Sequence, residues 1–265
     1  MASFKKDGIT CNHPIMSSDL LEIFNAGSGI ICCVGAGGKK TTMFRLAYEH
    51  PGRVGITATS HIEYFPRTLA ATKYIDAESG LLNKVKHDRN SRVIAFARPS
   101  ERKGRHAGIN LELVQKFRQE GSFDLLLIKA DGARSRFIKA PAAHEPPLPD
   151  CADIVIPVVS AKVIGKKLSE KNAHRVELIT KVTGARENEI IKPVHIARLL
   201  ASAEGSLKNT ASAKVIPLIN MVDNREQEQL AREAAITALS MSNRFEYIVL
   251  AAMKNDNPVI DIIKN

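Results

Sequence analysis

Ile30-Ile31-Cys32-Cys33-Val34-Gly35-Ala36-Gly37-Gly38-Lys39-Lys40-Thr41-Thr42 decides how the rest of the chain is read. An apolar run of strand character ends in three glycines, followed by two lysines and two threonines, and then by helical sequence. Glycines let backbone N–H groups turn inward around an anion. A helix N-terminus adds partial positive charge and lysine adds a full one. A threonine hydroxyl at the helix start suits Mg²⁺. The Walker A pattern G-x-x-x-x-G-K-[ST] is met only in part. With Lys39 as the phosphate lysine, Gly38 fits, but Cys33 takes the first glycine position and Lys40 the hydroxyl position. With Lys40 in that role, Thr41 fits as the Mg²⁺ ligand, but Lys39 replaces glycine. The dinucleotide fingerprint fails, because Lys40 stands where its third glycine belongs and no acid ends the second strand. The bland alternative is a glycine turn with solvated lysines.

Outward from this turn, short apolar runs recur at 29–34, 53–59, 92–97, 123–130, 153–159, 214–220 and 245–251. Most are continuous rather than alternating, which suits a sheet covered on both faces. Helical spacing marks 41–49, 111–120, 195–202 and 226–240. The expected fold is α/β and P-loop NTPase-like: a mainly parallel sheet, helices on both faces and a small helical insertion. One domain spans 1–265, with the insertion or subdomain at about 162–213. Residues 129–150 carry Pro141, Pro146, Pro147 and Pro149 and read as a loop.

Three further constellations fall at expected strand ends, where open α/β sheets bind ligands. Thr59 and His61 follow the second strand and face a phosphate, a metal or a substrate, unless Ser60 and its neighbours merely cap a helix. Asp131 follows the strand at 123–130 and would stand behind Mg²⁺ as a Walker B acid does, or else would start an Asp-Gly turn. Arg134 and Lys139 flank it. Asn220-Met221-Val222-Asp223 has the N-x-x-D spacing of the guanine-reading motif of GTPases, but Met221 replaces its lysine. His144-Glu145 is half of a zinc motif; Pro146-Pro147 forbid the helix that a zinc protease needs. The pair is left as a proton-transfer candidate.

Taken together, these segments resemble the YqeC-type proteins, described as selenium-dependent hydroxylase accessory proteins. The resemblance is carried by Val34 to Lys39, Thr57 to Ile62, Ala130 to Arg134, Lys139-Ala140-Pro141-Ala142-Ala143-His144-Glu145-Pro146, His174 to Leu178 and Leu218 to Asp223. It implies a nucleotide-binding accessory factor for maturing selenium-dependent molybdenum hydroxylases. The partner would be such a hydroxylase or its selenium or molybdenum cofactor. Two positions depart from the family pattern besides Met221. Lys40 stands where the loop usually has Thr or Ser, and Lys129 where the strand usually ends in Glu.

The expected ligands are ATP or GTP with Mg²⁺. Gly35, Ala36, Gly37, Gly38, Lys39, Lys40, Thr41 and Thr42 would surround the phosphates, with Thr59, His61, Arg134, Lys139, Asn220 and Asp223 completing the site. Thr41 and Asp131 would serve the metal, and Asp131, His144 and Glu145 any catalysis. The chemistry would be NTP hydrolysis or phosphoryl or nucleotidyl transfer. Without turnover, the same loop serves an assembly factor or switch. Composition agrees with a folded, reduced, cytoplasmic protein: 265 residues, 44 % hydrophobic, 25 % charged, four cysteines with no CxxC pair. No apolar h-region follows Lys5-Lys6, and no run suits a membrane span. The net charge of 38 − 28 = +10 suits phosphate ligands generally. With four tyrosines and no basic–aromatic interleaving, a nucleic-acid partner is set aside.

Overall fold

A computed structural model describes residues 19–264; Lys5, Lys6 and Cys11 lie outside the described residues. Helix α1 (Asp19–Ile23) precedes β1 (Gly29–Gly35), which leads through the glycine turn into α2 (Lys39–Glu49). Then come β2 (Val54–Ala58), β3 (Ile62–Glu63), β4 (Thr72–Ile75), α3 (Glu78–His87), β5 (Val93–Ala97), β6 (Arg105–His106) and α4 (Val114–Glu120). The middle of the chain forms β7 (Leu125–Lys129), β8 (Ile138–Lys139), β9 (Ile154–Ser160) and β10 (Ala173–His174). It ends with α5 (Val176–Thr183), α6 (Pro193–Ala201), β11 (Lys214–Val215), β12 (Leu218–Asn220), α7 (Arg225–Met241), β13 (Tyr247–Ala251) and β14 (Val259–Lys264).

The main sheet runs β14-β13-β12-β9-β1-β7-β2-β5-β4, with β11 added beside β9. All of its pairings are parallel except β13 with β14. This is the expected α/β architecture. Continuous apolar strands sit at its centre because both faces are covered. Alternate residues of one strand feed opposite cores. Ile31 and Cys33 of β1 pack on the face that holds Met43 and Leu46 of α2. Ile30, Cys32 and Val34 point to the other face, against Leu81, Val85, Val114 and Phe117 of α3 and α4. On that second face, α5, α6 and α7 cover the half of the sheet built from β9, β12 and β13.

Several elements escape the periodicity reading, the helix α3 and the two-residue strands β3, β6, β8 and β10 among them. β4 alternates partly buried with exposed residues, and β14 is an antiparallel edge strand, so neither shows a continuous apolar run. The 111–120 helix opens with a 3-10 turn over Leu111–Leu113. The expected insertion carries α5 and α6, but also β10, which pairs in parallel with β8 from the proline-rich loop. That pairing ties 129–150 to the helical segment. No helix among the described residues is long and apolar enough to cross a membrane.

Candidate functional site

β1 lies between β7 and β9, so Asp131 at the end of β7 stands next to the glycine turn that ends β1. Gly35, Gly37 and Gly38 have φ of +85°, +96° and +126°, a region L side chains rarely adopt. Space is equally short. A Cβ on Gly37 would lie 2.7 Å from the Ser160 backbone nitrogen, and one on Gly38 would lie 2.1 Å from Asn220 Nδ2. Ala36 N–H donates to Val158 O at 2.8 Å and Gly35 N–H to Asp131 Oδ2 at 3.0 Å. Hydrogen bonding into α2 resumes at Thr42, whose N–H donates to Gly38 O. Between them, the five N–H groups of residues 37–41 have no acceptor among the described residues. No side chain caps the helix and no acid occupies its first turn. Backbone donors left open in this way are what a helix-terminal anion site requires.

Lys39 is buried and its ammonium turns back over the loop, donating to Gly35 O and lying 2.9 Å from Asp131 Oδ1. Lys40 points elsewhere, into an ion pair with Glu63. The lysine that reaches the turn is therefore Lys39. Thr42 is buried and its hydroxyl is spent on Gly38 O at 3.2 Å. Thr41 lines the cleft, and its hydroxyl has no partner among the described residues.

Behind the turn lies a buried charge cluster. Lys139 Nζ is 2.7 Å from Asp131 Oδ2 and 2.8 Å from Glu145 Oε2. Glu145 also accepts from Arg175 and from the Ala142 N–H. Lys129 donates to Ser60 Oγ at 3.1 Å and His61 O at 2.7 Å. Lys39, Lys129, Lys139 and Arg175 face only Asp131 and Glu145, a formal surplus of 4 − 2 = +2. Burial opposes ionisation of Asp131, but the two ammonium groups outweigh it and hold the carboxyl below its ordinary range. Burial, reinforced by Lys39, pushes Lys129 down to about 7. Glu145 is likewise held low: burial opposes this, and Arg175 and Lys139 overcome it. Its carboxylate serves these cations, and His144 has no hydrogen-bond partner among the described residues. His144 and Glu145 make no hydrogen bond to each other among the described residues.

Thr59 bonds to Pro147 O at 2.8 Å and, with His61 and His144, lines a basic cavity of about 920 Å³ beside the turn. Arg134 borders both this cavity and the cleft of about 230 Å³ over the glycine turn. On the other side of the cleft, a pocket of about 70 Å³ is lined by Asn220, Asp223 and Thr41. Asn220 is buried. Its Nδ2 donates to Gly37 O at 2.8 Å, and its Oδ1 accepts from the Met253 N–H at 3.1 Å. Asp223 holds Lys162 at 2.5 Å. Glu63 and Arg105 also line the cleft, and Arg102 lines only the larger cavity; all three were missed in the sequence, because the β3–β6 pairing joins distant segments without a local signal.

The YqeC protein family matches residues 31–177, that is 177 − 31 + 1 = 147 of the 265 residues. The chain belongs to the YqeC family. The match takes in the glycine turn, Asp131, Glu145 and Arg175, and stops short of Asn220. Over 187 residues the chain is 28 % identical to the "Uncharacterized protein YqeC" of Escherichia coli (strain K12), covering 68 % of this chain and 70 % of that one. Among solved structures, the hydrogenase maturation factor HypB from Archaeoglobus fulgidus is similar at a TM-score of 0.40 and 14 % identity, over 90 % of this chain and 87 % of that one.

Proposed function

We propose that this YqeC-family protein binds a nucleoside triphosphate on the 35–41 turn. The observation that carries this reading is the run of five unpartnered N–H groups at the uncapped start of α2, with Lys39 reaching back over it. The polyphosphate would lie in the cleft lined by Lys39, Lys40, Lys129 and Arg134. The base would face the Asn220–Asp223 side, where Asp223 accepts from a base edge in place of Lys162. Asn220 holds that side against the phosphate turn.

The residues present fit a Mg²⁺ that arrives with the nucleotide. Thr41 offers a free hydroxyl, and the Oδ1 of Asp131 is met only by Lys39. When Lys39 turns to the phosphate, that oxygen is released to act through water. The metal would supply charge neutralisation at the phosphate oxygens. Following the family resemblance, the bound protein would act as an accessory factor in maturing selenium-dependent molybdenum hydroxylases.

The carboxylates favour binding over turnover. Glu145 is engaged by Lys139 and Arg175, and Asp131 keeps Lys139 on Oδ2 even when Lys39 leaves Oδ1 for the phosphate, so the one oxygen released is committed to the metal's water. A switch that binds nucleotide to engage a client fits this arrangement. Titration with fluorescent ATP and GTP analogues tests the proposal. It predicts saturable binding to the wild type and loss of binding in the Lys39→Ala chain. Equal binding by the two would overturn it. Phosphate release measured without a client separates the two readings, steady multiple turnover marking an enzyme.

A further inference from the structure

The cavity of about 920 Å³ beside the phosphate cleft is too large and too basic to be the far end of a triphosphate site. It receives Arg102, Arg105, Arg134 and Arg175. Arg175 is committed to Glu145. The side chains of Arg102, Arg105 and Arg134 make no hydrogen bond and no ion pair among the described residues. Their backbones are nevertheless fixed. Arg105 sits in the β3–β6 pairing, opposite Glu63. Arg134 and Ser135 both adopt left-handed conformations, with φ of +47° and +58°. The Arg136 N–H donates to Ala133 O at 2.9 Å across these two residues and closes the turn.

Two imidazoles in the cavity, His174 and His61, answer to the same field. Burial, with Arg175 and Lys139 adding to it, pushes His174 down to about 4. His61 is lowered by burial and then by Arg102 and Arg105. Both are neutral at pH 7 and offer hydrogen bonds without adding charge. Glu170 and Glu177 also line the cavity. Carboxylates in the wall disfavour a long polyanion and suit a small ligand whose negative group seats at the arginines alone.

We propose that this cavity binds a second ligand, a small organic anion whose phosphate or carboxylate group is held by Arg102, Arg105 and Arg134. Arg105, Gly132, Arg134 and Ser135 line the cavity and the phosphate cleft alike. The second ligand's anionic group would therefore adjoin the outer end of the polyphosphate. This placement rests on the nucleotide reading; the arginine site itself does not.

The test is calorimetric titration of the full chain, saturated with a non-hydrolysable ATP or GTP analogue, using inorganic pyrophosphate and, separately, citrate. At least one probe is expected to bind saturably. Pyrophosphate alone would assign a phosphate ligand, and citrate alone a carboxylate. Arg102→Glu, at an exposed position outside the phosphate cleft, should weaken the probe on the order of tenfold while nucleotide affinity is unchanged. The proposal is overturned if neither probe binds, or if the probes bind the Arg102→Glu chain as well as the wild type. It is also overturned if their binding vanishes whenever nucleotide is present. Should nucleotide fail to bind while the probe still depends on Arg102, the glycine-turn reading falls and this one stands.

Discussion

Asp131 and Glu145 each hold two cations, and Asp131 is the more deeply buried of the two. For Asp131 the pairing is with lysine alone. Both of its oxygens meet buried ammonium groups, and one also accepts the Gly35 N–H. Asp131→Asn would leave Lys39 and Lys139 uncompensated, and we expect a loss of about 3–5 kcal/mol in urea unfolding. Its depressed pKa sets the pH dependence. The stability it contributes is complete above the ordinary value of 3.8 and is lost only as pH falls through the lower folded value, so acid unfolding should flatten in the Asn variant. Lys129 behaves oppositely. Its ammonium titrates at about 7 when folded against an ordinary 10.5, so the folded chain binds fewer protons between these values and stability rises with pH across that window. A polyphosphate docked beside Lys129 favours the charged form. Nucleotide binding near neutral pH should therefore take up a proton, and affinity should fall as pH rises above about 7. Calorimetry in two buffers of different ionisation enthalpy measures the uptake; Lys129→Met should abolish it.

At the scale of elements, the glycine turn was legible because it combines a buried strand, positive-φ residues and a helix start in one short stretch. Which lysine turns back over the loop and which threonine keeps an unbonded hydroxyl was not legible. That depends on helical phase and on Glu63, whose strand pairs with β6 more than forty residues on. Gly37→Ala should abolish nucleotide binding, because its Cβ would strike the Ser160 backbone, and circular dichroism should show the sheet retained. Asn220→Ala would orphan the Met253 N–H and free the Gly37 carbonyl, lowering stability by about 1–3 kcal/mol in denaturant. The remote Phe96 is a control. It stacks on Phe117 at 4.8 Å and Phe123 at 5.9 Å, and Phe96→Ala should cost about 3–5 kcal/mol without changing which ligand binds.

For the whole molecule, parallel topology explains why motifs scattered along the sequence converge. β1, β2, β7, β9, β12 and β13 all point their C-terminal ends to one edge, so Gly37, His61, Asp131, Asn220 and Met253 meet there. Seven apolar runs were enough to read the sheet, since burial on both faces removes the polar alternation. The edges β4 and β14 were not readable, because solvent on one side dilutes the pattern. The charge cluster was readable only as nearby residues. Its internal pairing joins Lys139 to Asp131 eight residues away and, where the β8–β10 pairing brings distant segments together, Arg175 to Glu145. The surplus of +10 concentrates in part at this edge, at Lys39, Lys129, Lys139, Arg105 and Arg134. The most direct measurement is a crystal structure of the full chain grown with ATP or GTP and Mg²⁺. Phosphate oxygens should accept hydrogen bonds from the N–H groups of residues 37–41, with Lys39 moved from Asp131 to phosphate. A nucleotide bound elsewhere, with Lys39 still on Asp131 and those N–H groups unfilled, would contradict the account.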